Sequence, residues 1–258
     1  MVSSWLAFAP SQRHTECGFE RIDHAVMGGS MAQQDGITKV IAGYRHFTEE
    51  IYPEHRELFD ELKDRQNPQV LFITCADSRI DPSLITHTVP GELFICRNIG
   101  NIVPAYGEML GGVSAVVEYA VVGLKVSEII VCGHSDCGAM KALKNVDAPS
   151  LAAMPTVKAW LRNAEAALGV VRATDPEASG DQLLRALTEA NILLQLQHLR
   201  THPGVAAGIA TGKVRLHGWI YNIGDGRVDA FDETARRFAP IEEAVGASSK
   251  SSETASQS

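Results

Sequence analysis

The sequence predicts an α/β protein with a mainly parallel central β-sheet flanked by helices. Three observations lead there. Short apolar runs alternate with segments of helical period, the runs are apolar on both faces, and two of them end in loops dense in Cys, His, Asp and Arg. In chain order, Ile37, Val40, Ile41, Tyr44 and Phe47 recur at helical spacing, and residues 56–64 read as a second, short helix. Val70-Leu71-Phe72-Ile73-Thr74 is a compact run that ends at Cys75. A run apolar on both faces suits a parallel strand covered on both sides. Leu93-Phe94-Ile95-Cys96 is the second such run. Residues 112–124 read as a helix of small residues that packs closely. Glu128-Ile129-Ile130-Val131-Cys132 is the third strand, followed at once by Gly133-His134. Helices are predicted over 156–168 and 182–200, and two late strands over 214–221 and 228–231.

With 258 residues, the chain is long enough to bury a core without disulfide staples. Hydrophobic residues at 45% and charged residues at 21% are ordinary for a globular protein, and no linker or repeat splits the middle. We read one domain over 31–246, preceded by a weakly patterned leader over 1–30 and followed by a disordered polar tail over 247–258. A net charge of -8 argues against wrapping nucleic acid or coating an anionic membrane. No apolar run approaches the ~20 residues of a membrane helix. The five cysteines, Cys17, Cys75, Cys96, Cys132 and Cys137, are odd in number and irregularly spaced, unlike a secreted disulfide scaffold. The start lacks a basic segment before the short apolar stretch Trp5 to Ala9, so it does not read as a secretory signal. The expected compartment is the cytoplasm.

Two strands end in loops that carry chemistry, Cys75-Ala76-Asp77-Ser78-Arg79 and His134-Ser135-Asp136-Cys137-Gly138. In open α/β sheets, sites form beyond the carboxyl ends of the strands, so both loops face one crevice. Cys75, His134 and Cys137 make a Cys2His set, a catalytic zinc arrangement with an open fourth position. Each residue also has a plainer reading. Cys75 alone reads as a small buried hydrophobe, and Asp77 with Arg79 as a structural salt bridge. Cys96 and Cys132 read as core, and Cys17 has no assigned role.

The motifs above, with Pro90-Gly91-Glu92-Leu93-Phe94, Arg97-Asn98-Ile99-Gly100-Asn101, Glu118-Tyr119-Ala120 and Leu216-His217-Gly218-Trp219, occur in the order found in one family. The chain resembles a beta-class carbonic anhydrase, with a plant-type pocket and a bacterial or cyanobacterial overall pattern, from about Ile37 to about Pro240. The resemblance implies one Zn2+ per subunit on Cys75, His134 and Cys137, and a catalytic dyad of Asp77 and Arg79. It implies reversible hydration of carbon dioxide to bicarbonate and a proton, by attack of zinc-bound hydroxide. Two thiolates cancel the charge of the metal, so activity is expected to rise toward alkaline pH. Asp77 either orients the nucleophile or ligates zinc and shuts the site, and Arg79 decides between them by holding the carboxylate. Gln66, Phe94 and Tyr119 match the substrate pocket, where the amide holds bicarbonate and the rings form an apolar slot. Some bacterial members close on a second bicarbonate and carry Trp three residues before the first Cys ligand. Phe72 stands there in this chain, which implies the constitutively open type.

The resemblance further implies the family's α/β fold and a homodimer or higher homo-oligomer, with active sites at the subunit interface and the helix near Ile37–Phe47 lying across the partner. The partners expected are carbon dioxide and bicarbonate, with no nucleic acid and no membrane. The pattern is closest to members linked to cyanate breakdown or packaged in carboxysomes. Three alternatives keep some of these features: a carbon disulfide or carbonyl sulfide hydrolase on the same ligands, a thiol-redox protein using Cys132 and Cys137, and a non-catalytic zinc-binding assembly module. The match at Gln66, Phe94 and Tyr119 favours carbon dioxide. The Cys132/Cys137 spacing is not the C-x-x-C of a redox site, and an intact Asp77–Arg79 pair has no place in a purely structural site.

Overall fold

The computed structural model describes residues 36–108 and 111–244. The proposed leader over 1–30, the tail over 247–258 and Cys17 lie outside the described residues. The chain divides after Phe59 into two units.

The first unit is helical. Helix α1 (Gly36–His46) runs into a π-helical turn (Phe47–Ile51), then α2 (Tyr52–Glu54) and the start of α3 (Arg56–Leu62). Phe47, Tyr52 and Phe59 pack their rings together, with the Tyr52 and Phe59 centroids 4.9 Å apart. The helical period seen in the sequence is real, yet Ile37, Val40, Ile41 and Tyr44 all stay exposed on α1.

The second unit is built on a six-stranded sheet of order β2-β1-β3-β4-β5-β6. The strands are β1 (Val70–Cys75), β2 (Leu93–Asn98), β3 (Glu128–His134), β4 (Arg215–Tyr221), β5 (Val228–Asp232) and β6 (Arg237–Pro240). The first four run parallel, and β5 and β6 turn back antiparallel. The mainly parallel sheet expected from the sequence is therefore present. Strands β1 and β3 are buried almost throughout because both of their faces are covered. Leu71, Ile73, Ile129 and Val131 form one core with Val117 and Val121, and with Ile192 and Leu196. On the other face, Phe72 meets Trp219 edge-on beside Ile130 and Cys132.

The helices of this unit are α4 (Pro82–Thr86), α5 (Gly112–Glu118), α6 (Gly138–Leu143), α7 (Pro149–Ala152), α8 (Pro155–Leu161), α9 (Glu165–Thr174), α10 (Gly180–Leu199) and α11 (Pro203–Ala210). A Cβ on Gly133 would lie 2.9 Å from Ile192, and one on Gly218 2.8 Å from it, so these glycines let α10 settle onto β3 and β4. The helix predicted over 156–168 is broken by a 3-10 turn (Arg162–Ala164). There the Asn163 side chain donates to the Trp160 carbonyl and competes with the helical ladder. Helix α4 was not anticipated, although its signal was present: Asp81 accepts from the amides of Ser83 and Leu84, and Pro82 stands at the first helical position. Among the described residues no helix is long and apolar enough to cross a membrane.

Candidate metal centre

The connections diverge around β1. From β1 the chain moves to β2 on one side, then crosses back to β3 on the other. Ligand crevices form at such reversals, beyond the carboxyl ends of the strands. Cys75 is the last residue of β1 and His134 the last of β3, and Thr74 pairs with Cys132, so both strands end at one level. Ala76 is tied to the Asn98 carbonyl at 2.8 Å and Ser135 to the Tyr221 carbonyl at 2.9 Å, which fixes the first residue of each loop. Asp136 then takes a left-handed conformation, φ 60°, and turns the chain so that Cys137 returns toward His134.

The Sγ atoms of Cys75 and Cys137 and a ring nitrogen of His134 lie within 4.8 Å of one another, and all three residues are buried. His134 Nδ1 is 2.8 Å from the Ser135 carbonyl. A carbonyl only accepts, so Nδ1 carries the proton and Nε2 presents its lone pair. That Nε2 is fully buried and has no hydrogen-bond partner among the described residues. A buried acceptor without a partner is costly, and a metal ion between two thiols and this nitrogen relieves it. The two thiols are not equivalent. Cys75 is driven toward the thiolate by a hydrogen bond from Cys137, against burial and with help from the backbone amides of Gly100 and Asp77. Cys137 is pushed the other way by Cys75 and by burial. A divalent cation reverses that second preference and takes both as thiolates. The donor set fits zinc.

Asp77 and Arg79 stand beside this cluster. Arg79 Nε donates to Asp77 Oδ1 at 2.9 Å and Nη2 to Oδ2 at 2.8 Å, a two-bonded clamp. The Arg79 guanidinium holds the Asp77 carboxyl well below the usual carboxylate range. Asp77 Oδ2 lies 4.0 Å from His134 Nε2.

Other residues at the site had no role assigned from sequence. Arg97 on β2 donates to the Cys75 carbonyl at 3.2 Å and to the Asp77 carbonyl at 2.6 Å, so it braces the loop that carries both. Gly100, at φ 78°, brings its amide to the Cys75 sulfur in a space where a Cβ would lie 2.9 Å from Ala139. Arg97, Gly100 and Asp136 all fall inside motifs visible in the sequence; what was missing was the contact each one makes.

Gln66, Phe94 and Tyr119 lie elsewhere. Phe94 pairs with Leu71, four residues before the Cys75–Asn98 rung, which is roughly 13 Å along the strand. Its ring is 5.9 Å from that of Tyr119. Gln66 and Tyr119 line an open cleft of about 650 Å3 with Leu62, Arg65 and Gly91. Within one chain, then, these three gather away from the Cys2His cluster.

A parallel sheet with a buried Cys2His cluster at its point of reversal, and a clamped carboxylate beside it, is the arrangement of a metal-dependent α/β enzyme. The comparisons make this specific. The family profile described as "Carbonic anhydrase" matches residues 70–228. The carbonic anhydrase of Pseudomonas aeruginosa is 49% identical over 204 residues, covering 79% of this chain and 91% of its own. Carbonic anhydrase 1 of Escherichia coli O157:H7 is 44% identical over 205 residues, covering 80% and 92%. The solved structure of the beta-carbonic anhydrase CcaA superposes with a TM-score of 0.78 at 42% identity, over 80% of this chain and all of that one. The chain belongs to the carbonic anhydrase family, in its beta class. It is a zinc enzyme that hydrates carbon dioxide reversibly to bicarbonate and a proton.

Proposed function

We propose that Cys75, His134 and Cys137 are the zinc ligands, that Asp77 and Arg79 are the catalytic dyad, and that Gln66, Phe94 and Tyr119 bind substrate at the zinc site of a second subunit. The observation that carries the reading is the orphaned His134 Nε2, which faces two buried thiols and stands 4.0 Å from a carboxylate turned to Arg79.

Bound zinc supplies a Lewis acid that makes hydroxide available near neutral pH. The residues of the chain supply the rest. An ionised Asp77 only accepts hydrogen bonds. Arg79 donates twice to Oδ1, from Nε and from its backbone amide, and once to Oδ2, which leaves an acceptor position free on Oδ2. Asp77 therefore orients a nucleophilic oxygen by accepting a hydrogen bond from it, so that a lone pair of that oxygen points at carbon dioxide. Arg79 keeps the carboxylate from becoming a fourth metal ligand. The Phe94 and Tyr119 rings suit an uncharged linear substrate, and the Gln66 amide donates to a bicarbonate oxygen.

A pocket about 13 Å from the ligands along one strand is of no use to its own chain. A homodimer, or a larger homo-oligomer built from it, answers this if each subunit lends its pocket to the other. The exposed apolar stripe on α1, Ile37, Val40, Ile41 and Tyr44, supplies surface for such an association. One solved relative, at 26% identity and a TM-score of 0.67, is described among two tetrameric beta-carbonic anhydrases from Sordaria macrospora. We read the compartment as cytoplasmic, since Cys75, Cys96, Cys132 and Cys137 are free thiols.

The test is zinc content and stopped-flow hydration on protein purified without chelator. We expect one zinc per chain in the wild type and in Asp77→Asn, with hydration lost in the latter. His134→Ala should lose both metal and activity. A His134→Ala protein that retains zinc, or a fully active Asp77→Asn protein, refutes the assignment.

A further inference from the structure

Arg79 is held from two sides. One edge of its guanidinium clamps Asp77. On the other, Nη1 donates to Asp136 Oδ2 at 3.0 Å, and Nη2 also reaches the Asp136 carbonyl at 3.3 Å. Asp136 lies between His134 and Cys137, and its carboxylate pairs in turn with Lys141, one turn into α6. A row of alternating charge, Asp77, Arg79, Asp136, Lys141, thus crosses from the loop after β1 to the helix after β3. The Arg79 side chain is 44% exposed. Gripped by Asp77 alone, a long side chain this open to water keeps much of its rotamer freedom and can swing with the carboxylate about the bond that the Arg79 backbone amide makes to Oδ1. Gripped at both edges, it cannot.

We propose that Asp136 is a positioning residue for the hydration reaction: it anchors the outer edge of Arg79 and so keeps the Asp77 carboxylate turned away from the three metal donors. The proposal rests on the roles assigned above to Asp77 and Arg79. Its geometry explains why an acidic residue stands at a left-handed position, which Asp tolerates better than most side chains. It also gives the two ligand-bearing loops a direct side-chain tie.

Asp136→Gly is the informative variant, because glycine accepts the positive φ and keeps the backbone carbonyl while deleting the carboxylate. We expect zinc content unchanged and kcat/KM reduced roughly threefold to tenfold, by misplacement rather than by loss of a reacting group. Asp136→Asn, which retains one acceptor oxygen, should fall between that variant and the wild type. In an Arg79→Ala background, Asp136→Gly should cost nothing further. Cobalt-substituted protein gives a readout apart from turnover. The visible spectrum should shift with added azide in the wild type, and less in Asp136→Gly, where Asp77 competes for the metal. Losses that multiply in the double variant, an unchanged azide response, or loss of metal from Asp136→Gly would each overturn the proposal. If Arg79→Ala itself keeps full activity, the dyad assignment fails first, and that outcome is distinct from all of these.

Discussion

The Asp77 carboxylate lies 4.0 Å from His134 Nε2, yet it gives both of its oxygens to Arg79. The residue best placed to close the candidate metal site is thus held out of it by the side chain and the backbone amide of Arg79. Arg79→Ala should keep zinc and lose activity by roughly 10- to 100-fold, the cost of a misplaced group at the reacting centre. Arg79→Lys should recover little, because one ammonium cannot make the two parallel bonds. Metal analysis beside stopped-flow kinetics checks both halves.

Lending pockets between subunits makes a prediction that a self-contained site does not. Cys75→Ser should kill the metal half of a site and Gln66→Ala should cripple the pocket half. Mixing the two inactive proteins under conditions that exchange subunits should restore about a quarter of wild-type activity, because half of a random set of dimers is mixed and each mixed dimer holds one intact site. If the mixture stays inactive while native mass spectrometry shows exchange, each site is completed within one chain.

Cys132 is fully buried, and burial pushes its thiol up to about 12. Between about pH 9 and 12 the unfolded chain gives up this proton and the native chain keeps it. The native state binds more protons, so stability falls as pH rises, by about 1.4 kcal/mol per pH unit from this group. Cys132→Ala should show a shallower alkaline decline in denaturant titrations, whatever its stability at neutral pH. An unchanged slope would mean that the thiol ionises in the native state.

The close seating of α10 on the sheet predicts coupled substitutions. Gly133→Ala places a methyl 2.9 Å from Ile192 Cδ1 and should cost about 1–3 kcal/mol. In an Ile192→Val background, which removes that carbon, the same change should cost less. Equal costs in both backgrounds would mean that backbone preference, rather than crowding, sets the penalty.

The sequence by itself determined the strands and the reactive side chains at their ends. Val70 to Cys75 and Glu128 to His134 are largely apolar on both faces, which suits a covered parallel strand, and that pattern is local. Cys75, Asp77, Arg79, His134 and Cys137 were legible because each loop carries reactive side chains with no helical or strand period. Short helices with weak periods were less so: α4 rests on one cap and one proline, and the break at Arg162–Ala164 rests on the side chain of Asn163. Only the tertiary structure decided what depends on register and on distances between loops. Pairing of Cys75 with Asn98 and of Phe94 with Leu71 separates the Cys2His cluster from Gln66, Phe94 and Tyr119, although motif order alone puts them in one list. The Ser135 carbonyl fixes which nitrogen of His134 faces the thiols, and Asp136 reaches Arg79 across 57 residues of chain. Spacing along a sequence carries no such information, because strand pairing and loop closure bring these groups together only when the whole sheet forms.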